Sequence, residues 1–270
     1  MITRPTDNGR EIPWIDDWVR PVVRLHPTPG RPGPTDSHLG GPMLWPRDEP
    51  WPTCDGSTHD GFLLTDEEVR GLVTPFAGGL QLYRRDFPEL PFPDGTDLLQ
   101  VFLCLIVHTD HYGPDARLVW RAAGEVTEPL AEQPAPVLTD PVYAIEPCVF
   151  VPCRRQEYPM YSELPFELLD ELEFTKEPDF RGGSVDCWPG IGDYSKIGGW
   201  TRWYSSDGGW EACPDCGTKR VQLLALTSNE NECDHDVGER PQLSFDGRDS
   251  AVNVFVCPAD ARHALLVEVQ

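Results

Sequence analysis

Apolar positions along this chain cluster in short runs rich in β-branched and aromatic residues, punctuated by Gly, Pro and Asp. That pattern predicts strands over 22–26, 80–84, 98–107, 118–121, 142–151, 220–227, 252–257 and 264–269. The longest uninterrupted apolar run, Val101 through Val107, reads as a buried central strand. It falls far short of the roughly 20 residues a helix needs to cross a bilayer. Helical signals are few. Thr65 and Glu68 form a capping box flanked by a Leu64–Val69 staple, which predicts a helix to about residue 73. Ser162 is placed to cap a second segment, in which Phe166, Leu169, Leu172 and Glu173 share one helical face. Many strands without βα alternation give a fold class of α+β, mostly β, with few short helices.

The same patterning occurs twice. Ser37, Leu39, Gly40, Gly41, Trp45, Trp51 and Cys54 are followed by Ser195, Ile197, Gly198, Gly199, Trp203, Trp210 and Cys213. The offset is 158 through the first Trp and 159 from the second Trp onward. Each copy then reaches a matching strand, Val101-Phe102-Leu103-Cys104 and Val254-Phe255-Val256-Cys257, at an offset of 153. Trp and Cys are rare residues, so agreement in both order and spacing marks an internal duplication. It divides the chain into an N-terminal extension (1–36), a first half (37–124), a Pro- and Glu-rich connecting segment (125–194) and a second half (195–270), within one compact domain. The paired glycines suggest positive φ or close backbone approach. Gly40, Gly41, Trp45, Gly198, Gly199 and Trp203 are therefore expected to be a repeated packing motif, and they are also the candidate lining of a binding groove.

The charge narrows the partners. A formal net charge of −23 argues against nucleic acid, whose binders displace counterions with Lys and Arg. It suits a basic protein partner, or simply keeps the chain in solution. Residues 1–17 are polar and contain no apolar signal core, so a cytoplasmic location is expected. In a reducing compartment the nine cysteines are core thiols or metal ligands before they are disulfides.

Cys213-Pro214-Asp215-Cys216-Gly217 has the form of a zinc knuckle, two thiols aimed at one point by a tight turn. Cys257 ends a predicted strand, and His263 opens the next. If those strands form a hairpin, they supply a third and a fourth ligand. Cys233 and His235 compete for the fourth place. A plain turn or a redox pair remain the alternatives, although a thioredoxin-like pair calls for a βαβ context that is absent. His108-Thr109-Asp110-His111 is expected to be a solvated loop, since it lacks a helical frame to set ligand spacing. Cys148 and Cys153 are expected to be buried thiols acting as small hydrophobes. The chain has no Gly-x-Ser-x-Gly elbow, no phosphate-binding Gly-rich loop with Lys, no dinucleotide fingerprint and no His-Glu-x-x-His.

Ser195-Lys196-Ile197-Gly198-Gly199-Trp200, Trp203, the Cys213–Gly217 knuckle, Val221-Gln222-Leu223-Leu224 and Val254-Phe255-Val256-Cys257-Pro258 resemble the YwqG-like family of bacterial proteins. They are similar also to segments of eukaryotic programmed cell death protein 2 and its relatives. The first half agrees more loosely, through Leu39-Gly40-Gly41, Leu44-Trp45-Pro46 and Leu80-Gln81-Leu82. The resemblance implies a duplicated, mostly β fold used for binding, chaperone-like or immunity-type, without a known reaction. The chain departs from the eukaryotic pattern in lacking a second Cys shortly after Cys257 and a separate zinc-finger insert. A non-enzymatic module that binds a protein at a sheet edge or in the groove between the halves is therefore expected. The alternative is an enzyme using Cys and His, with His108 or His111 among its candidates.

Overall fold

The computed structural model describes residues 4–172, 176, 191–192, 194–203, 212–228, 230, 240–245 and 251–270. In chain order the strands that concern the site are β1 (Arg20–Arg24), β2 (Pro27–Pro29), β3 (His38–Leu39), β4 (His59–Asp60), β5 (Ala77–Tyr83), β6 (Leu98–His108) and β7 (Gly113–Arg121). They continue with β8 (Cys148–Phe150), β9 (Cys153–Glu157), β10 (Lys196–Gly198), β11 (Val221–Thr227), β12 (Ala251–Val256) and β13 (Leu266–Val269). One sheet has the order β7-β6-β5-β3-β8-β2, with β4 added at the end of β6, and the other runs β9-β1-β10-β11-β12-β13. Every pairing in both sheets is antiparallel. The fold is mostly β, as the patterning predicts.

The duplication is visible strand for strand. β3, β5, β6 and β7 occupy the places that β10, β11, β12 and β13 take in the other sheet. Even the irregularity repeats. Pairing between β5 and β6 skips a residue at Gly79, and pairing between β11 and β12 skips one at Leu223, beside the equivalent Phe102 and Phe255. Such a bulge bends and twists a strand locally, so its recurrence preserves the curvature of both sheets.

The strands next to the edges are exchanged. β8, from the second part of the chain, lies between β3 and β2 of the first; β1, from the first part, lies between β10 and β9 of the second. The registers correspond, with Cys148 opposite Leu39 and Val23 opposite Ile197. The segments read from sequence as an extension (1–36) and a connection (125–194) thus supply strands to both sheets. The chain crosses between sheets at Leu25–His26 and at Val151, whose N–H donates to the Leu25 carbonyl at 3.0 Å.

The inner faces of the two sheets share one core, with Leu99, Val101 and Leu103 of β6 in the same cluster as Leu224, Leu226, Val252 and Val254. The alternate residues Phe102, Cys104 and Ile106 face outward into a second cluster with Met43, Trp45, Cys54, Val69 and Phe76. Burial on both faces is why β6 reads as an unbroken apolar run.

The helices are shorter than expected. The Glu68 carboxylate accepts from the Thr65 N–H at 2.8 Å and hydroxyl at 2.7 Å, so the capping box forms. The helix α1 nevertheless spans only Asp66–Val69, because Gly71 adopts φ +72° and ends it. Ser162 does not cap α2 (Phe166–Leu169). It lies in a preceding 3-10 turn, Tyr161–Glu163, and Pro165 takes the cap position. Leu169 and Leu172 do turn inward, onto Ile12 and Ile15, whereas Phe166 is exposed and Glu173 lies outside the described residues.

Candidate metal centres

The knuckle closes as its sequence predicts. Gly217, at φ +74°, donates its N–H to the Cys213 carbonyl at 2.7 Å, and the Cys213 N–H bonds the Thr218 carbonyl at 2.8 Å. Cys257 follows directly on β12, and His263 stands beyond the turn that leads to β13. The Asp215 carboxylate accepts from the Ala264 N–H at 2.8 Å, clasping the knuckle to that turn. The ligand atoms of Cys213, Cys216, Cys257 and His263 consequently lie within 4.8 Å of one another. Cys216 Sγ is 3.4 Å from Cys257 Sγ, and Cys213 Sγ is 3.6 Å from His263 Nδ1. Hydrogen bonds from Thr218 hold the exposed Cys216 thiol down to about 6, while the neighbouring Cys257 and Cys216 thiols raise His263. Thiolates that form readily are what a metal requires of its ligands. The rival ligands Cys233 and His235 lie outside the described residues, as does Trp210.

A second group of four was not anticipated. Cys54, His59, Cys104 and His108 also place their ligand atoms within 4.8 Å of one another, all four buried. His108 is therefore no part of a solvated loop. It closes β6, pairs with both Gly113 and His59, and is 2% exposed. His111 is half-buried, its ring stacked on His108 at 5.7 Å. The reason is a register shift in the β6–β7 pairing between Cys104 and Val107. In a flat strand, residues four apart are separated by about 13 Å; the bulge bends β6 so that Cys104 and His108 serve one site. Cys54 comes from a ribbon of Thr53–Cys54 paired with Thr74–Pro75, and His59 from β4.

Each of these groups could hold a metal ion. The hydrogen bonds around the buried group fix its donors. His59 Nδ1 lies 3.1 Å from the Val69 carbonyl, which only accepts, so Nδ1 carries the proton and the Nε2 lone pair is free. That Nε2 faces Cys54 Sγ at 3.2 Å and Cys104 Sγ at 3.3 Å. His108 Nδ1 is 2.8 Å from the Thr58 hydroxyl, and its Nε2 is buried without a hydrogen-bond partner. The bond from Cys104 draws the Cys54 thiol down against the effect of burial; Cys104 is pushed up by that bond and by burial. The sequence held a signal for this group, since the duplication alone pairs Cys54 with Cys213 and Cys104 with Cys257.

No protein-family model matches the chain, and no curated protein matches it. Among the described residues no helix is long and apolar enough to cross a membrane.

The Gly-Gly segments form equivalent corners. Gly40 and Gly198 adopt φ +69° and +67°. Each corner is closed by the side chain two residues earlier, with His38 Nε2 3.0 Å from the Pro42 carbonyl and Lys196 Nζ bonded to the equivalent Trp200 carbonyl. Trp45 packs edge-on against Phe102 at 5.1 Å and is buried. Trp203 stacks on the equivalent Phe255 at 5.9 Å and is half-buried, its indole N–H donating to Glu163 at 2.6 Å. An open pocket of about 620 Å³ lies beside the first corner, lined by Gly40, Gly41, Pro29, Pro32, Pro42 and Glu146 among others, without a Cys or His. Neither tryptophan is among the residues that line it. Sheet edges are guarded at β2 by Pro27 and Pro29, which lack donors, and at β9 by exposed Arg154 and Arg155. Cys148 and Cys153 are buried free thiols, and burial pushes Cys148 up to about 12.

Proposed function

We propose that the chain is a zinc-organised, non-enzymatic binding module for a basic protein segment. The observation that carries this reading is a set of exposed apolar side chains near carboxylates. Phe62, Leu63, Val73 and Val137 are 54% to 62% exposed. Their backbone is held in place, with the Leu63 N–H on the Asp140 carboxylate at 3.2 Å and the Val137 N–H on the Thr74 hydroxyl at 2.8 Å. Exposed Asp66, Glu67 and Glu68 of α1 adjoin it, on a chain of net charge −23. Apolar contact would supply affinity to such a partner, and the carboxylates would speed encounter. The resemblance to the YwqG-like family adds the expectation of a chaperone-like or immunity-type role in the cytoplasm.

Zinc belongs to the Cys213, Cys216, Cys257 and His263 group, where three thiolates and an imidazole complete a tetrahedral, closed set. A closed set leaves no position for substrate, so its role is to brace the turns after β12 and before β11. Enzymatic use of Cys and His is disfavoured because the donors converge on one another and the described pocket contains none of them.

Affinity capture from the source cell, comparing the wild type with Leu63→Asp/Val137→Asp, tests the binding face. Recovery of a basic protein by the wild type and its loss with the folded variant supports it. Equal recovery by both, or a bound small molecule instead, overturns it.

A further inference from the structure

The geometry points to a second zinc site in the first half, with Cys54, His59, Cys104 and His108 as its four ligands. The proposal stands on three independent features. Two thiols and two imidazoles, drawn from three stretches of chain, converge within 4.8 Å. The buried Nε2 of His108 has no hydrogen-bond partner, which costs free energy in a polar atom unless something else takes its lone pair. His59 is fixed by the Val69 carbonyl in the tautomer whose free nitrogen faces both thiols, the arrangement that second-shell carbonyls impose on metal-bound histidines.

Charge selects the ion and distinguishes the two sites. Two thiolates neutralise a dication, so the Cys₂His₂ set is uncharged as a whole and suits a position where all four residues are at most 7% exposed. Three thiolates around the same dication leave one negative charge, which is tolerable at the other site because Cys216 meets solvent. Mixed sulfur and imidazole donors in a closed set favour zinc over magnesium or calcium, which take oxygen ligands. The duplication thus placed a cysteine from each matching strand, Cys104 and Cys257, and one from each preceding segment, Cys54 and Cys213. The remaining two places diverged, giving a buried, neutral site and an exposed, anionic one. The buried ion would tie residues 53–59 to the end of β6 and so anchor the segment leading to α1.

Elemental analysis and zinc-edge X-ray absorption of the full chain, purified from zinc-replete cells, test this without any substitution. Two zinc ions per chain are expected, sharing five sulfurs and three nitrogens. The variant Cys216→Ser, altered only at the exposed corner of the other site, should retain one zinc, now with two sulfurs and two nitrogens. A wild-type chain with one zinc bound by three sulfurs and one nitrogen overturns the proposal, as does a folded Cys216→Ser protein free of zinc. A wild type with one zinc in a two-sulfur, two-nitrogen shell would uphold it while removing the zinc assigned to the knuckle. Iron or copper at the buried group overturns the choice of ion. Should Cys216→Ser fail to fold, the wild-type stoichiometry and shell decide.

Discussion

The ammonium of Lys196 contacts the carboxylate of Glu157 at 2.8 Å, with both side chains almost entirely buried. The pair spans the exchanged strand, since β9 and β10 flank β1. Glu157 also accepts from the Tyr194 hydroxyl at 2.5 Å and the Trp200 N–H at 2.7 Å. Burial lowers the Lys196 pKa, opposed by Glu157. The first half meets the same packing need without charge: a Cβ on Gly199 would strike the Glu157 carboxylate, and one on the equivalent Gly41 would strike Pro32.

Removing one partner of such a pair strands the other charge. Lys196→Met or Glu157→Gln alone should each cost about 3–5 kcal/mol in urea denaturation, and the double variant should recover much of that loss. A single variant that costs under about 1 kcal/mol would show the pair to be solvated and the reading wrong.

His38 predicts a pH dependence. Its Nε2 must be protonated to donate to the Pro42 carbonyl, and its Nδ1 must be bare to accept the Gly41 N–H at 3.2 Å. Burial lowers its pKa below the ordinary value of about 6.5, so the folded chain takes up this proton less readily than the unfolded chain. Stability from this group is therefore complete above about pH 6.5 and lost as pH falls through the folded value, by about 1.4 kcal/mol per unit of depression. The urea midpoint should fall more steeply between pH 7 and 5 for the wild type than for His38→Gln. Parallel slopes would remove His38 from the account.

Chelation should unfold more than a loop. Structural zinc contributes on the order of 10 kcal/mol to small metal-organised units. Prolonged exposure to a strong chelator should lower the melting temperature, and Cys213→Ser should release the knuckle's zinc with partial loss of stability. Identical melting curves with and without chelator would reduce the 213–217 segment to a plain turn.

Strand exchange predicts that neither half folds alone. Fragment 1–124 lacks β8, and fragment 125–270 lacks β1, so each isolated sheet loses the strand next to its edge. Expressed separately, each should show no cooperative unfolding transition; expressed together, they should reassemble one to one. A fragment that melts cooperatively by itself would contradict the interlocked arrangement.

Local rules determined much of this protein. Alternation and β-branching located β6, β11, β12 and β13 nearly to their ends, because burial on a sheet leaves a period-two or unbroken apolar record in sequence. The rare residues Trp and Cys revealed the duplication, and the short Cys213–Gly217 turn announced its own site, since a turn of five residues fixes its geometry without help from the rest of the chain. The tertiary structure decided what depends on distant pairing. Exchange of β1 and β8 leaves no local signature, because either neighbour satisfies the same strand's hydrogen bonds. The ends of α1 and α2 were set by Gly71 and Pro165 against favourable caps. His59 and His108 became partners of Cys54 and Cys104 only when a bulge bent β6 and β4 was laid against its end, bringing together residues up to 54 positions apart. Spacing along a chain records ligands that share one turn; ligands gathered from separate strands are recorded only in the fold.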